Sequence, residues 1–402
     1  MSNKKTLSSG NLINKISKQL ITIFKKKIKF KSIYLHEPDL IKSDINYLKD
    51  CVRDNAVSSK GKFIKKFENK ISSLTKSRYV IATNSGTSAL HISCILMGIK
   101  RNDEVIVPSF TFVGTVNAVK YCGGIPHFAD IEEDHFGINV RKLEKHLTKI
   151  AVKKKNVYIN KLTGRTIKAI IPVHIFGHFM RINELIKLAK KYNLIIIEDA
   201  AEALGSYYNK KHAGTFGNIG VLSFNGNKTI TCGSGGAILT NNHNIAEKAR
   251  HLISTAKIAH SYNYVHNEVG YNYRMSNLNA ALGYSQIKRI KKILKNKRKL
   301  FSFYNKIFKK NLFFTLVNEP KKSKSNFWLQ TILINEKYSK FIHQIIKDLN
   351  DEKIYVRPGW KLMTNLNYLK ECPKMDVSIA KKTCKRIINI PSSSFLINYL
   401  KK

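Results

Sequence analysis

At 402 residues the chain can bury a large core, most naturally divided between two domains. Hydrophobic residues at 43% and aromatics at 10% are those of an ordinary globular protein, and no apolar run reaches the ~18 residues of a membrane span. The net charge of +45 comes from lysines spread along the whole chain beside many Ile and Asn. Without a basic block interleaved with aromatics it reads as compositional drift rather than a specific nucleic-acid surface, though an anionic substrate would profit from the field.

The six cysteines form no CxxC and no Cys/His cluster. That argues against structural zinc and a disulfide framework, and for a reducing compartment such as the cytoplasm. Residues 1–32 are read as a basic arm, since no acid precedes Glu37. Ile13, Ile16, Leu20 and Phe24 recur at helical spacing within it. Its apolar core is too short for a signal peptide. A transit peptide, a surface-docking helix and a helix packed on the protein's own body stay open, the last favoured.

Strands and helices alternate from residue 33 to about 290, the expected large domain. Arg78 to Thr83 reads as a buried strand, Asn84-Ser85-Gly86-Thr87 as a turn, and Ser88 to Gly98 as a helix. That layout points backbone N–H groups at a phosphate, although a plain helix cap at Ser85 or Thr87 would read the same. Neither GxxxxGK[ST] nor GxGxxG is present. The strand Glu104 to Pro108 leads to Phe112, at the end where open α/β sheets bind ligands; it is a core aromatic or a stacking platform. Helix 113–122, strand Ile125 to Ala129, helix 139–150 and strand Lys168 to Val173 continue the pattern. The strand Leu194 to Ile197 then ends in Glu198-Asp199-Ala200-Ala201-Glu202. A carboxylate in that position is costly to bury unpaired, so Asp199 wants a cation near the Ser85–Thr87 turn. The fold class is therefore α/β, a mostly parallel sheet covered by helices.

The stretch Leu222 to Gly236 holds strand-like residues, then Asn225-Gly226-Asn227 and Lys228. A second strand is expected over Thr229 to Cys232, before the glycines at 233, 235 and 236. A lysine held in such a turn can lose solvation and serve as a nucleophile; in so basic a chain it can equally be a solvated charge. Beyond Gly270 to Met275 a long helix is expected over Asn277 to Lys309, bridging into a smaller α+β domain over 291–402.

Phosphate-ready turn, candidate stacking aromatic, buried-strand carboxylate and nucleophilic lysine together are what pyridoxal 5′-phosphate (PLP) requires. The motifs NSGTSALH (Asn84 to His91), PSFTFVGTVNAV (Pro108 to Val119), EDAAEALGS (Glu198 to Ser206), the run Gly214 to Thr240 and GYNYRMSNLNAALG (Gly270 to Gly283) resemble the DegT family. These are fold type I PLP-dependent aminotransferases acting on nucleotide-linked keto-sugars. LHEP (Leu35 to Pro38), SNFWL (Ser325 to Leu329), VRPGW (Val356 to Trp360) and NIPSS (Asn389 to Ser393) look like its legionaminic-acid-type branch. The resemblance implies that Lys228 carries the cofactor and Asp199 partners its ring nitrogen. Phe112 would stack on the ring, and Ser85, Gly86, Thr87 and Ser223 would bind the phosphate. Glu202 falls near the ring hydroxyl. Asn272 matches an asparagine that reaches the neighbouring subunit's phosphate, which implies a homodimer. Related dehydratases replace the lysine with histidine, so Lys228 implies amino transfer, with glutamate the expected donor. Arg357 and Trp360 are candidate contacts to a nucleotide 4-keto-6-deoxy sugar, or else part of a packed domain seam. No metal is expected.

Overall fold

The computed structural model describes residues 9–29 and 31–401. Seven strands build the central sheet: β1 (Tyr79–Thr83), β2 (Glu104–Pro108), β3 (Ile125–Ala129), β4 (Ile167–Ile170), β5 (Ile195–Asp199), β6 (Ile219–Ser223) and β7 (Gly236–Thr240). Their order across the sheet is β1-β7-β6-β5-β4-β2-β3. All neighbours pair in parallel except β7, which is antiparallel to both β1 and β6. The α/β class read from the sequence holds.

Strand alternation sends side chains to two separate apolar layers. Val80, Ile106, Ile170, Ile196 and Leu222 enter one, with the helices Lys62–Thr75, Val140–Ile150, Ile182–Lys191 and Asn277–Lys288. Their strand neighbours Ile81, Val105, Ile171, Ile197 and Val221 enter the other, with the helices Gly86–Leu96, Val113–Tyr121 and His243–Ile253. Both faces being covered explains why the strands read as continuous apolar runs. The carboxyl ends of the parallel strands thus open onto one edge, where the segments after β1, β2, β5 and β6 converge. Because β7 runs the other way, it enters the sheet at that edge on Gly236. A Cβ there would lie 2.3 Å from the Ser85 carbonyl oxygen, so only glycine lets the turn after β1 settle against β7.

A second sheet of four antiparallel strands is formed by β8 (Phe314–Leu316), β9 (Gln330–Ile334), β10 (Arg357–Pro358) and β11 (Ile387–Ile390), in the order β8-β9-β11-β10. The described part of the arm belongs here; its residues 1–8 and 30 lie outside the described residues. Helix Ser9–Lys27 buries Ile16, Leu20 and Phe24 against Leu300, Tyr304, Ile345 and Leu349. Each such side chain contributes roughly 2 kcal/mol of transfer free energy. Its lysines face solvent, and Ser17 donates to Asp348 at 2.5 Å.

Some elements depart from the sequence reading. The expected helix over Asn277 to Lys309 is two helices, Asn277–Lys288 and Ile290–Phe308, broken at Arg289. At the break the Arg289 guanidinium bonds the Asp39 carbonyl (2.8 Å) and the Asp44 carboxylate (3.0 Å), a tertiary tie invisible to periodicity. Thr229 to Cys232 forms no strand: Cys232 N–H returns to the Phe224 carbonyl and Ile230 sinks into the core, closing a loop on itself. A hairpin, Ala151–Lys154 with Val157–Asn160, fills a stretch to which the sequence reading assigned no element.

Helix Ile290–Phe308 carries one fully buried lysine. Lys297 Nζ lies 2.9 Å from His36 Nε2 and donates to the carbonyls of Ser392 (2.8 Å) and Trp328 (3.0 Å). It thereby ties LHEP, SNFWL and NIPSS to one atom. Burial lowers its pKa to about 7, against a weaker opposing pull from Asp39. The folded chain then releases a proton in the window from about 7 to the ordinary lysine value, whereas the unfolded chain keeps it. Lys297 is therefore expected to destabilise the fold fully below pH 7 and progressively less as pH rises. Urea denaturation between pH 7 and 9 should show the wild type gaining stability relative to Lys297→Met; parallel curves would contradict this.

Candidate active site

The edge where the strand ends meet holds a cavity of about 310 Å³. One end is built by two helix starts. Ser85, extended at φ −160°, caps helix Gly86–Leu96 by accepting from Ser88 N–H at 3.0 Å. The first amides of that helix, at Gly86 and Thr87, have no intrahelical acceptor and carry the positive end of its dipole. Ser223 closes in from the end of β6: a Cβ on Gly86 would lie 2.8 Å from Ser223 Cβ. Gly114, in the first turn of helix Val113–Tyr121, leaves similar room for Thr87, whose Oγ1 would stand 2.9 Å from an added Cβ. Hydroxyls, amides and two dipole ends converge on a space suited to a phosphate.

The middle of the cavity is bordered by Asp199, the last residue of β5. Glu198 and Asp199 are consecutive, so they face opposite sides of the sheet, and their treatment differs. Burial pushes the Glu198 carboxyl up, but His174 Nε2 (2.8 Å) and the amides of Gly214 and Phe216 (2.7 Å each) outweigh it and bring it below its ordinary value. Among the described residues Asp199 receives only Thr115 Oγ1 at 2.8 Å and Ala201 N–H at 3.1 Å, and burial leaves its carboxyl raised. An anion short of partners inside a cavity is stabilised by a cationic guest at that point.

Lys228 follows the turn after β6, and its Nζ donates to Glu202 Oε1 at 3.2 Å. The ring of Trp328 covers the same nitrogen, 3.9 Å from the ring centroid. Glu202 is itself fixed: its other oxygen accepts from Phe176 N–H at 2.8 Å. Burial raises the Glu202 carboxyl, and the Lys228 charge opposes this. Phe112 caps the helix Val113–Tyr121 and stays 53% exposed at the cavity wall, with Trp360 6.1 Å away between centroids. The core alternative for Phe112 is thus excluded.

Of the residues singled out from the sequence, Ser85, Gly86, Thr87, Phe112, Asp199, Glu202, Ser223, Lys228 and Trp360 line this one cavity. Two do not. Asn272 lies beside it, its carbonyl accepting from the Asn84 amide at 3.3 Å. Arg357 is exposed, with its guanidinium 3.4 Å from its own neighbour's Val356 carbonyl. Sequence reasoning missed Thr115 and Trp328. Thr115 carried no signal beyond a threonine one helical turn past Thr111, whereas Trp328 stood inside a quoted motif without being singled out.

The donor set fits PLP: amides and hydroxyls for a phosphate, an under-paired carboxylate for a protonated ring nitrogen, and an amine within the same cavity. The fold and site define a PLP-dependent aminotransferase. A family model for the DegT/DnrJ/EryC1/StrS aminotransferases matches residues 38–398, and the chain belongs to that family. It is 36% identical to the GDP-perosamine synthase of Escherichia coli O157:H7, over 92% of this chain and 95% of that one. It is 31% identical to the UDP-4-amino-4,6-dideoxy-N-acetyl-beta-L-altrosamine transaminase of Campylobacter jejuni subsp. jejuni serotype O:23/36 (strain 81-176), over 84% and 86%. Among solved structures it superposes on Helicobacter pylori PseC, an aminotransferase involved in the biosynthesis of pseudoaminic acid, with a TM-score of 0.80 at 26% identity, covering 90% and 94%.

Two outcomes follow from the geometry. Borohydride treatment should fix the cofactor on the peptide containing Lys228, and label on Lys210 or Lys211 instead would refute that assignment. Asp199→Asn should bind cofactor and fold, yet lose about a hundredfold or more in rate, since an amide removes a preorganised charge from the reacting centre. Near-normal turnover by that variant would refute the pairing.

Proposed function

We propose that this aminotransferase moves an amino group from an amino acid, glutamate being the expected donor, to C4 of a nucleotide-linked 4-keto-6-deoxy sugar. The observation that carries the reading is the joint presence of Lys228 and Asp199 in one cavity, in a chain alike over nearly its whole length to enzymes named for nucleotide-linked amino sugars. One of those names specifies a 4-amino-4,6-dideoxy sugar, which favours C4 over C3. The legionaminic-acid-type motifs favour a 2-acetamido group on the same ring.

When bound, PLP supplies the electron sink and carries the amino group between the two substrates. The chain's residues do the rest. Asp199 keeps the ring nitrogen protonated by charge. Ser85, Gly86, Thr87 and Ser223 would hold the phosphate, and Phe112 would offer the ring an aromatic face. Lys228 Nζ, once free, takes the proton from the donor's Cα and returns it on the far side of the transfer. Trp360 offers the sugar a flat apolar face beside Phe112, and Arg357 a cation farther out for the diphosphate.

The body from 33 to 290 carries the cofactor residues, while 291–402 adds Trp328 and Trp360, and 1–32 stays a separate basic arm. We assign the working form as a homodimer in the cytoplasm. Among the described residues no helix is long and apolar enough to cross a membrane, and all six cysteines are free, as a reducing compartment would keep them. Asn272, outside its own cavity, serves the partner's phosphate in this reading.

Mixing Lys228→Ala chains with Asn272→Ala chains tests the shared site. A mixed dimer has one cavity carrying both defects and one carrying neither, so part of the activity should return. No recovery despite demonstrated subunit exchange would place Asn272 in its own chain's service. For the substrate, glutamate is supplied with 4-keto and 3-keto nucleotide sugars separately and 2-oxoglutarate is followed. Turnover confined to the 3-keto compounds would overturn the C4 assignment and leave amino transfer standing.

A further inference from the structure

The motif SNFWL is not absorbed by the cofactor contacts, yet one of its residues, Trp328, covers the lysine and another, Asn326, supports that contact. Trp328 is buried, and its indole N–H donates to the Asn227 carbonyl at 2.6 Å, the residue just before Lys228. Its ring face lies 3.9 Å from Lys228 Nζ, while Glu202 Oε1 holds the other side at 3.2 Å. Both halves of this grip hang on one side chain. Asn326 Oδ1 accepts from Trp328 N–H at 2.8 Å, and Asn326 Nδ2 donates to the Glu202 carbonyl at 2.8 Å. Gly177 makes room for that amide: an added Cβ would stand 1.9 Å from Asn326 Oδ1. From behind, Lys297 Nζ donates to the Trp328 carbonyl and fixes the backbone that carries the ring.

We propose that Trp328 is a positioning residue for amino transfer, holding the Lys228 amine against Glu202 whenever that amine is not bonded to cofactor. This rests on Lys228 being the cofactor-bearing lysine. The chemistry needs such a holder. A free lysine amine sits on a flexible four-carbon stem, and the proton it would move must travel between fixed points. An aromatic face attracts the ammonium without taking its proton, which a second carboxylate could do. Glu202 sets the direction, and the indole face restricts the remaining freedom of the stem.

The test compares Trp328→Leu with Trp328→Phe. The Phe variant keeps an aromatic face and loses the bond to Asn227; the Leu variant loses both. Full-length protein, cofactor-free and as holoenzyme treated with amino donor, is pulsed with acetic anhydride and the Lys228 peptide is quantified by mass spectrometry. Trp328→Leu should raise Lys228 labelling roughly tenfold with Lys210 and Lys211 unchanged, and Trp328→Phe should stay within about twofold of wild type, since a phenyl face retains most of the attraction. In turnover, Trp328→Leu should lower kcat about tenfold at nearly constant acceptor KM. Unchanged Lys228 labelling in Trp328→Leu, or equal labelling in the two variants, would overturn the proposal. So would a rise in acceptor KM at constant kcat, which would make the ring a sugar contact. Labelling needs no sugar, so it fails separately from the substrate assignment, and the borohydride result judges the role of Lys228.

Discussion

Two consecutive carboxylates at the end of β5 set the terms for everything around them. Glu198 is satisfied by a histidine and backbone amides, and in being satisfied it locks the loop 212–217 to the sheet. Asp199, one residue on and on the other face, is left with two donors in a buried place. A fold tolerates one such deficit where a guest makes it good. The Glu198 network keeps the strand end rigid, so that the Asp199 deficit is held at a fixed point rather than relaxed into solvent.

The remaining walls are arranged about that point by elements distant in sequence. Two helix starts, Ser85 and Phe112, arrive from successive strand ends, and glycines at 86 and 114 let them close to contact distance. Lys228 comes from the loop after β6 and meets Trp328, a residue from beyond the helix Ile290–Phe308. Lys297 binds the arm-side segment at His36 to the carbonyls of Trp328 and Ser392, so the four-stranded sheet and the cavity wall share one anchor.

Much of this was legible in the chain. Strand positions followed from short apolar runs, and the turn at Asn84–Thr87 from its small polar residues, because both signals are local. Asp199 was legible because a carboxylate closing an apolar run is anomalous on its own. What escaped depended on contacts between remote segments. Arg289 stands at a helix break and bonds Asp39 and Asp44 there, and no helical pattern records those partners. Thr229 to Cys232 has strand-forming residues but turns back on Phe224 to present Lys228. Trp328 gave no sign of its partner because Lys228 lies a hundred positions earlier in the chain.

The chain contains only two tryptophans, and both border the cavity. Its indole emission therefore comes entirely from one place, with 18 tyrosines elsewhere as a separate signal. A spectroscopist exciting the indoles would watch the cavity alone, with the arrival of a chromophore registering as quenching through energy transfer. The same signal would be a poor witness to global unfolding: loosening around Asn326 would dim or shift it while the central sheet stood intact.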